Sequence, residues 1–275
     1  MNNTLKRTLS GICFLAIVIG GLLLDKYLYA VLLTFMMVTM LYEFYRMTMG
    51  EVFPRTRALA IVLGCCSFMT LFCVMAFRLD IRLIGITAVL LLVLMVSTLM
   101  VKDKADFKLF AFLYTGLMYI AVPLTLSNFV VFDQAGRFDG RPMLAFFIIL
   151  WASDVGAYCI GMLLGKYSKK LFPSVSPKKT WAGFWGGLLF AVLAGLILVW
   201  TGLWTYPWYH AVILSIIMHV AGVFGDLFES QWKRVCEIKD SGNIIPGHGG
   251  MLDRFDSALF AIPAGVIYLV IIGLL

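Results

Sequence analysis

Four places in this chain gather side chains able to hold phosphate or a cation. Asp154 lies well inside an apolar run, and Asp154, Tyr158, Gly161 and Gly165 recur at i, i+4, i+7 and i+11, on one face of a helix. An ionised carboxylate at membrane depth costs about 2.5–3.5 kcal/mol on insertion scales, so Asp154 should face a partner or a watery cavity. The bland alternative is a glycine-rich packing face carrying a hydrogen-bonded acid. Further on, Ser176, Pro177, Lys178, Lys179 and Thr180 precede the next apolar run. Ser-Pro ahead of a helix, with two lysines and a threonine in its first turn, would collect N–H groups, hydroxyls and positive charge where phosphate binds. Lysines at a helix end are equally ordinary markers of topology. Asp226, Glu229, Ser230 and Lys233 form a third group at i, i+3, i+4 and i+7, with His219 two turns deeper and best read as a hydrogen-bonded core residue.

The fourth group is the densest. Residues 237–257 mix acids, bases and glycines in a way that a plain connecting loop does not need. The Pro246-Gly247-His248-Gly249-Gly250 run can bring backbone close to a ligand, and Asp253 and Asp256, three apart at the opening of a helix, can share a divalent cation.

The elements that must position these groups are membrane helices. Of 275 residues, 62% are hydrophobic and 13% charged, against roughly 45–50% and ~25% in a soluble domain, so a soluble fold is excluded. Apolar runs close to the ~20 residues that cross a bilayer predict nine spans, near 9–24, 28–47, 58–77, 82–101, 109–132, 143–165, 181–202, 208–229 and 257–275. The first is expected to be a retained helix rather than a cleaved leader, since Asp25, Lys26 and a second apolar run follow it without a small-x-small site. With alternating spans, 17 of the 22 Lys and Arg fall on the side of the N-terminus and 5 on the other, which predicts a cytoplasmic N-terminus and an outside C-terminus. The longest polar stretches, 166–180 and 230–256, then face the cytoplasm and flank what read as the only acid-bearing spans. The expected organisation is a scaffold of residues 1–142, with room for oligomer contacts, and a catalytic region of residues 143–275. The six cysteines, none in a Cys-x-x-Cys pair, read as packing residues. A formal net charge of +7 suits anionic partners.

The run Ser230, Lys233, Arg234, Lys239, Asp240, Gly242, Ile245, Pro246, His248, Gly249, Gly250, Asp253, Arg254 and Asp256 resembles the signature of the phosphatidate cytidylyltransferases, the CDP-diacylglycerol synthases, of bacterial type. The Ser-Pro-Lys-Lys-Thr element and the Asp154–Lys166 stretch are similar too. The resemblance is strong over about residues 140–275 and architectural elsewhere; Trp232 departs from the aliphatic residue or Phe expected there but keeps an apolar face. It implies transfer of the cytidylyl group of CTP onto phosphatidic acid, giving CDP-diacylglycerol and pyrophosphate at the cytoplasmic face of the inner membrane. Asp226 and Asp253 are then the implied metal pair for Mg2+, with Asp256 and Asp154 as further candidates, and a second, monovalent cation is left open. Lys178, Lys179, Lys233, Arg234 and Arg254 become candidates for the triphosphate and lipid phosphate. Ser176, Thr180, Ser230, Lys239, Asp240, Gly249 and Gly250 complete the substrate-binding set, and His248 is a hydrogen-bond donor rather than a base. The partners are CTP, phosphatidic acid and the bilayer, with a homodimer left open and no nucleic acid. The competing readings are a CTP-dependent polyprenol or phytol kinase and, from a different class, an ion-coupled transporter, which leaves the cluster from Gly247 to Asp256 unexplained.

Overall fold

The computed structural model describes residues 3–100, 106–244 and 249–275, without the side chains of residues 3–10 and of Asp106. The chain runs α1 (Asn3–Leu23), α2 (Lys26–Met49), α3 (Pro54–Phe77), α4 (Gly85–Ser97), α5 (Phe110–Gly116), α6 (Val122–Leu126), α7 (Asn128–Val131), α8 (Arg141–Leu164), α9 (Trp181–Trp200), α10 (Trp208–Val235) and α11 (Leu252–Ile271). A π-helical turn, Leu117–Ala121, joins α5 to α6. Among the described residues, eight helical segments are long and apolar enough to cross a bilayer, and α1 contributes a shorter apolar stretch, Gly11–Leu23. Together they coincide with the nine expected spans, and the protein is an all-α integral membrane protein.

The boundaries follow local chemistry. Asp25 caps α2 by accepting the Tyr27 N–H at 2.7 Å, and Gly50, at φ 61°, ends that helix in a conformation that side chains resist. Proline stands in the first turn of α3 and of α8, where its missing N–H has no helical partner to lose.

Two compact units emerge: residues 1–139 with 238–254, and residues 140–237 with 255–275. The core of the first is aromatic, with Tyr29, Phe44, Phe68, Phe72 and Phe110 buried. Two of its buried hydroxyls are bonded, Tyr29 to Ser127 at 2.6 Å and Tyr45 to the Leu113 carbonyl at 2.9 Å.

In the second unit α8 and α9 pack backbone against backbone. A methyl group at Gly156 would strike Phe190 and the Gly186 carbonyl, and one at Gly186 would strike Ile160. Without apolar collapse to drive helices together inside lipid, small residues allow the close approach that van der Waals attraction needs. Between α8 and α9 lies the departure from pure helix. Residues 170–180 form a hairpin of β1 (Lys170–Phe172) and β2 (Ser176–Thr180), antiparallel, with Lys170 opposite Thr180 and Phe172 opposite Ser176.

Candidate active site

That hairpin corrects one expectation. Lys178 and Lys179 lie on β2, not in a first helical turn, and Thr180 is the N-cap of α9, its Oγ1 accepting the Gly183 N–H at 3.2 Å. The Ala182 N–H donates to Ser168 Oγ at 2.9 Å and the Trp181 N–H to the Lys169 carbonyl at 3.0 Å. The opening N–H groups of α9 are therefore already satisfied from within the hairpin. The bare helix end expected to offer free N–H groups is not what this segment presents. The hairpin also reaches α10, where Arg234 Nε donates to the Val175 carbonyl at 3.4 Å.

In the second unit these elements enclose a cavity of about 620 Å³ lined by Asp154, Lys178, Lys179, Thr180 and Asp226, with Ser153 and Ser257 beside them. Its remaining wall, including Ala157, Tyr158, Met162, Leu171, Phe184 and Val223, is largely apolar. The face predicted for Asp154, Tyr158 and Gly161 is thus a cavity face, with Asp154 exposed to it. Gly165, on the same stripe, stands against Thr180. Lys179 Nζ sits 2.5 Å from Asp226 Oδ2, both side chains about one-third exposed or less, and Ser230 Oγ lies 3.3 Å from Asp226 Oδ1.

The stripe on α10 divides in two. Asp226 opens onto the cavity, whereas Glu229 is fully buried and holds Lys233 one turn on. Lys233 thus has a carboxylate partner on its own helix. Asp256 is half-buried, its Oδ1 accepting the Ser257 N–H at 2.6 Å, and it lies within electrostatic reach of Asp226, Glu229 and Asp154. His219 is fully buried, with Nδ1 2.8 Å from Ser153 Oγ and its ring 4.7 Å from that of Phe184. It is the core residue that its position implied. Ser176 on β2 is half-buried and Arg234 exposed.

The first unit holds the other half of the signature. Asp253 Oδ2 accepts from the Ser241 N–H (2.9 Å), the Ser241 hydroxyl (3.0 Å) and the Gly250 N–H (2.9 Å). Gly249, at φ 85°, stands against Asp240 and Asp253, and Lys239, Asp240 and Arg254 are exposed. His248 lies outside the described residues. The residue that sequence reasoning missed is Glu43. It is 3% exposed near the end of α2 and takes up the N–H groups of Met251 and Leu252. The spans flanking 166–180 and 230–256 are therefore not the only acid-bearing ones. An acid beside Phe44 and Tyr45, inside an apolar run, was the available signal.

The model of the Cytidylyltransferase family matches residues 5–272. The chain belongs to that family. A phosphatidate cytidylyltransferase of Bacillus subtilis (strain 168) is 37% identical over 180 residues, 66% of this chain and 65% of that protein. One from Staphylococcus epidermidis (strain RP62A) is 38% identical over 184 residues, 66% of this chain and 67% of the relative. One from Staphylococcus aureus (strain COL) is 36% identical over 166 residues, 60% and 61% respectively. The alignments thus span about two thirds of these relatives. The cavity of this family member brings two acids, two lysines and a largely apolar wall together.

Proposed function

We propose that this protein is a phosphatidate cytidylyltransferase, converting CTP and phosphatidic acid to CDP-diacylglycerol and pyrophosphate. One observation carries the reading beyond family membership: two carboxylates, two lysines and an apolar wall converge on one cavity of a membrane-embedded helix bundle. The lysines suit phosphates and the apolar wall suits the lipid.

A phosphatidate oxygen attacks the α-phosphorus of CTP in line. The new P–O bond forms as the bond from the α-phosphorus to the oxygen bridging to the β-phosphorus breaks, and that oxygen leaves with the electron pair as pyrophosphate. A phosphate monoester is already anionic near neutral pH, so no protein nucleophile or base is needed. Positioning and charge neutralisation supply the catalysis. Lys179, already held by Asp226, orients phosphate at the acidic wall, and Lys178 on the exposed side of β2 meets the incoming triphosphate. Thr180 retains its hydroxyl hydrogen for a phosphate oxygen while its lone pair caps α9.

The donor set suits magnesium, because Asp154 and Asp226 offer hard oxygen ligands on one cavity. Among the described residues no three His, Cys, Asp or Glu side chains form a ready cage, so water and phosphate oxygens would complete the shell. Bound there, Mg2+ would neutralise charge on the reacting phosphates. Asp253 stands as a further required carboxylate on the strength of the sequence pattern.

The site faces the cytoplasm of a bacterial inner membrane, with the N-terminus on the same side and the C-terminus opposite. This rests on the 17-to-5 split of Lys and Arg. Cysteine labelling at Ser168 and Asn243 should report the inside and an added C-terminal cysteine the outside; Asn243 and the C-terminus on one side would overturn it. The activity is tested with purified protein, phosphatidic acid, magnesium and CTP labelled at either the α- or the γ-phosphorus. Label should reach lipid only from the α-position, whereas lipid labelled from the γ-position marks a kinase.

A further inference from the structure

We propose that Glu43 is a positioning residue for the transfer: it caps α11 from another helix and, through Ser241, fixes the carboxylate of Asp253. The kinetic part of this rests on the cytidylyltransferase reading above; the anchoring part does not.

An α-helix begins with N–H groups that have no acceptor of their own, and a capping side chain normally supplies one from a nearby position. Here the acceptor comes from α2. Glu43 Oε1 takes the Met251 N–H at 3.0 Å and Oε2 the Leu252 N–H at 2.8 Å, across separations of 208 and 209 residues. The same Oε2 lies 3.3 Å from Ser241 Oγ, which is in turn 3.0 Å from Asp253 Oδ2. The Ser241 hydroxyl thus stands between the two acids, its one hydrogen nearer Asp253 and shared with Glu43. A carboxylate at the N-terminus of a helix is also favoured by the helix dipole, which helps to explain how an acid that is 3% exposed persists in an apolar helix.

Two glycines of the loop exist in this arrangement to admit that carboxylate. A Cβ on Gly250 would lie 2.7 and 2.8 Å from the Glu43 oxygens, and one on Gly242 would press on Oε1. Neither glycine has a positive φ, so close approach rather than backbone freedom is what requires them.

The test is Glu43→Gln. An amide presents one acceptor oxygen and an NH2, so one of the two N–H groups loses its partner. Amide exchange of the 249–253 segment in the purified full-length protein should quicken by about 10-fold or more. In the same variant kcat should fall about 10-fold or more while the KM for CTP and for phosphatidic acid stays within about threefold, because neither substrate touches Glu43. Ser241→Ala spares both backbone contacts and cuts only the link to Asp253. It should lower kcat by about three- to tenfold and leave the exchange of Met251 and Leu252 at the wild-type rate. Should Glu43→Gln not survive extraction, Gly242→Ala takes its place with the same two readouts. Wild-type exchange in the Glu43 or Gly242 variant overturns the anchor, and wild-type kcat with quickened exchange overturns the catalytic role. If the wild-type protein makes no CDP-diacylglycerol, the proposed activity falls, and the exchange measurement alone upholds or overturns the cap.

Discussion

Asp226 and Asp253 are the two acids that the family resemblance implied as a metal pair, yet their surroundings are opposite. Asp226 lies on a cavity wall with a lysine at one oxygen and a weakly placed serine hydroxyl at the other. Asp253 has three donors on a single oxygen, two of them backbone N–H groups of its own loop. A carboxylate whose main partner is a mobile ammonium can exchange that partner for a substrate or a cation. A carboxylate bound by its own backbone shapes the chain around it. The comparison teaches that acids alike in sequence divide into one that meets ligands and one that also builds the loop carrying it.

Substitution should separate them. Asp226→Asn and Asp253→Asn should each lower activity by about 100-fold or more, the first by removing a charge from the proposed magnesium site and the second by removing the carboxylate that the sequence pattern marks as required. Only Asp253→Asn should also quicken amide exchange around Ser241 and Gly250, because hydrogen bonds to a charged group are worth about 1.5–3 kcal/mol and three of them converge there. Equal exchange in both variants would erase the distinction, and near-normal activity of Asp253→Asn would transfer its role to Asp256 or Asp154.

Lys179→Met tests the exchangeable partner. It should cost about 30- to 100-fold in kcat/KM, or about 2–3 kcal/mol of transition-state stabilisation, with insertion intact. Normal kinetics would return Lys179 to a topology marker paired with an acid. The smallest effect is expected at Ser230. Its hydroxyl lies 3.3 Å from Asp226, so Ser230→Ala should change kcat/KM by no more than about threefold, less than Ser241→Ala beside Asp253. A larger loss at Ser230 than at Ser241 would invert the comparison.

Several features were legible because they are local. A bilayer selects for apolar length, so eight spans and the shorter apolar stretch of α1 could be placed from composition along the chain, and the face of Asp154, Tyr158 and Gly161 followed from helical period alone. The signature loop announced itself by its density of acids, bases and glycines. The hairpin did not. Ser176 to Thr180 carries a helix-start pattern, yet it pairs with residues 170–172 as a strand, while Ser168 and Lys169 take the first N–H groups of α9.

By itself, then, the sequence determined that this is a polytopic membrane protein of the Cytidylyltransferase family, where its helices run, and which segments carry its acids, lysines and glycines. Transfer free energy and helical periodicity are properties of neighbouring residues and can be read in order. The tertiary structure decided which of those charged groups meet. It paired Lys179 with Asp226, turned Glu229 inward to Lys233, and set Glu43 on the backbone of Met251 and Leu252. Hydrogen-bond partners more than 200 residues apart depend on how α2 and the loop are placed in three dimensions, and no pattern along the chain encodes that distance.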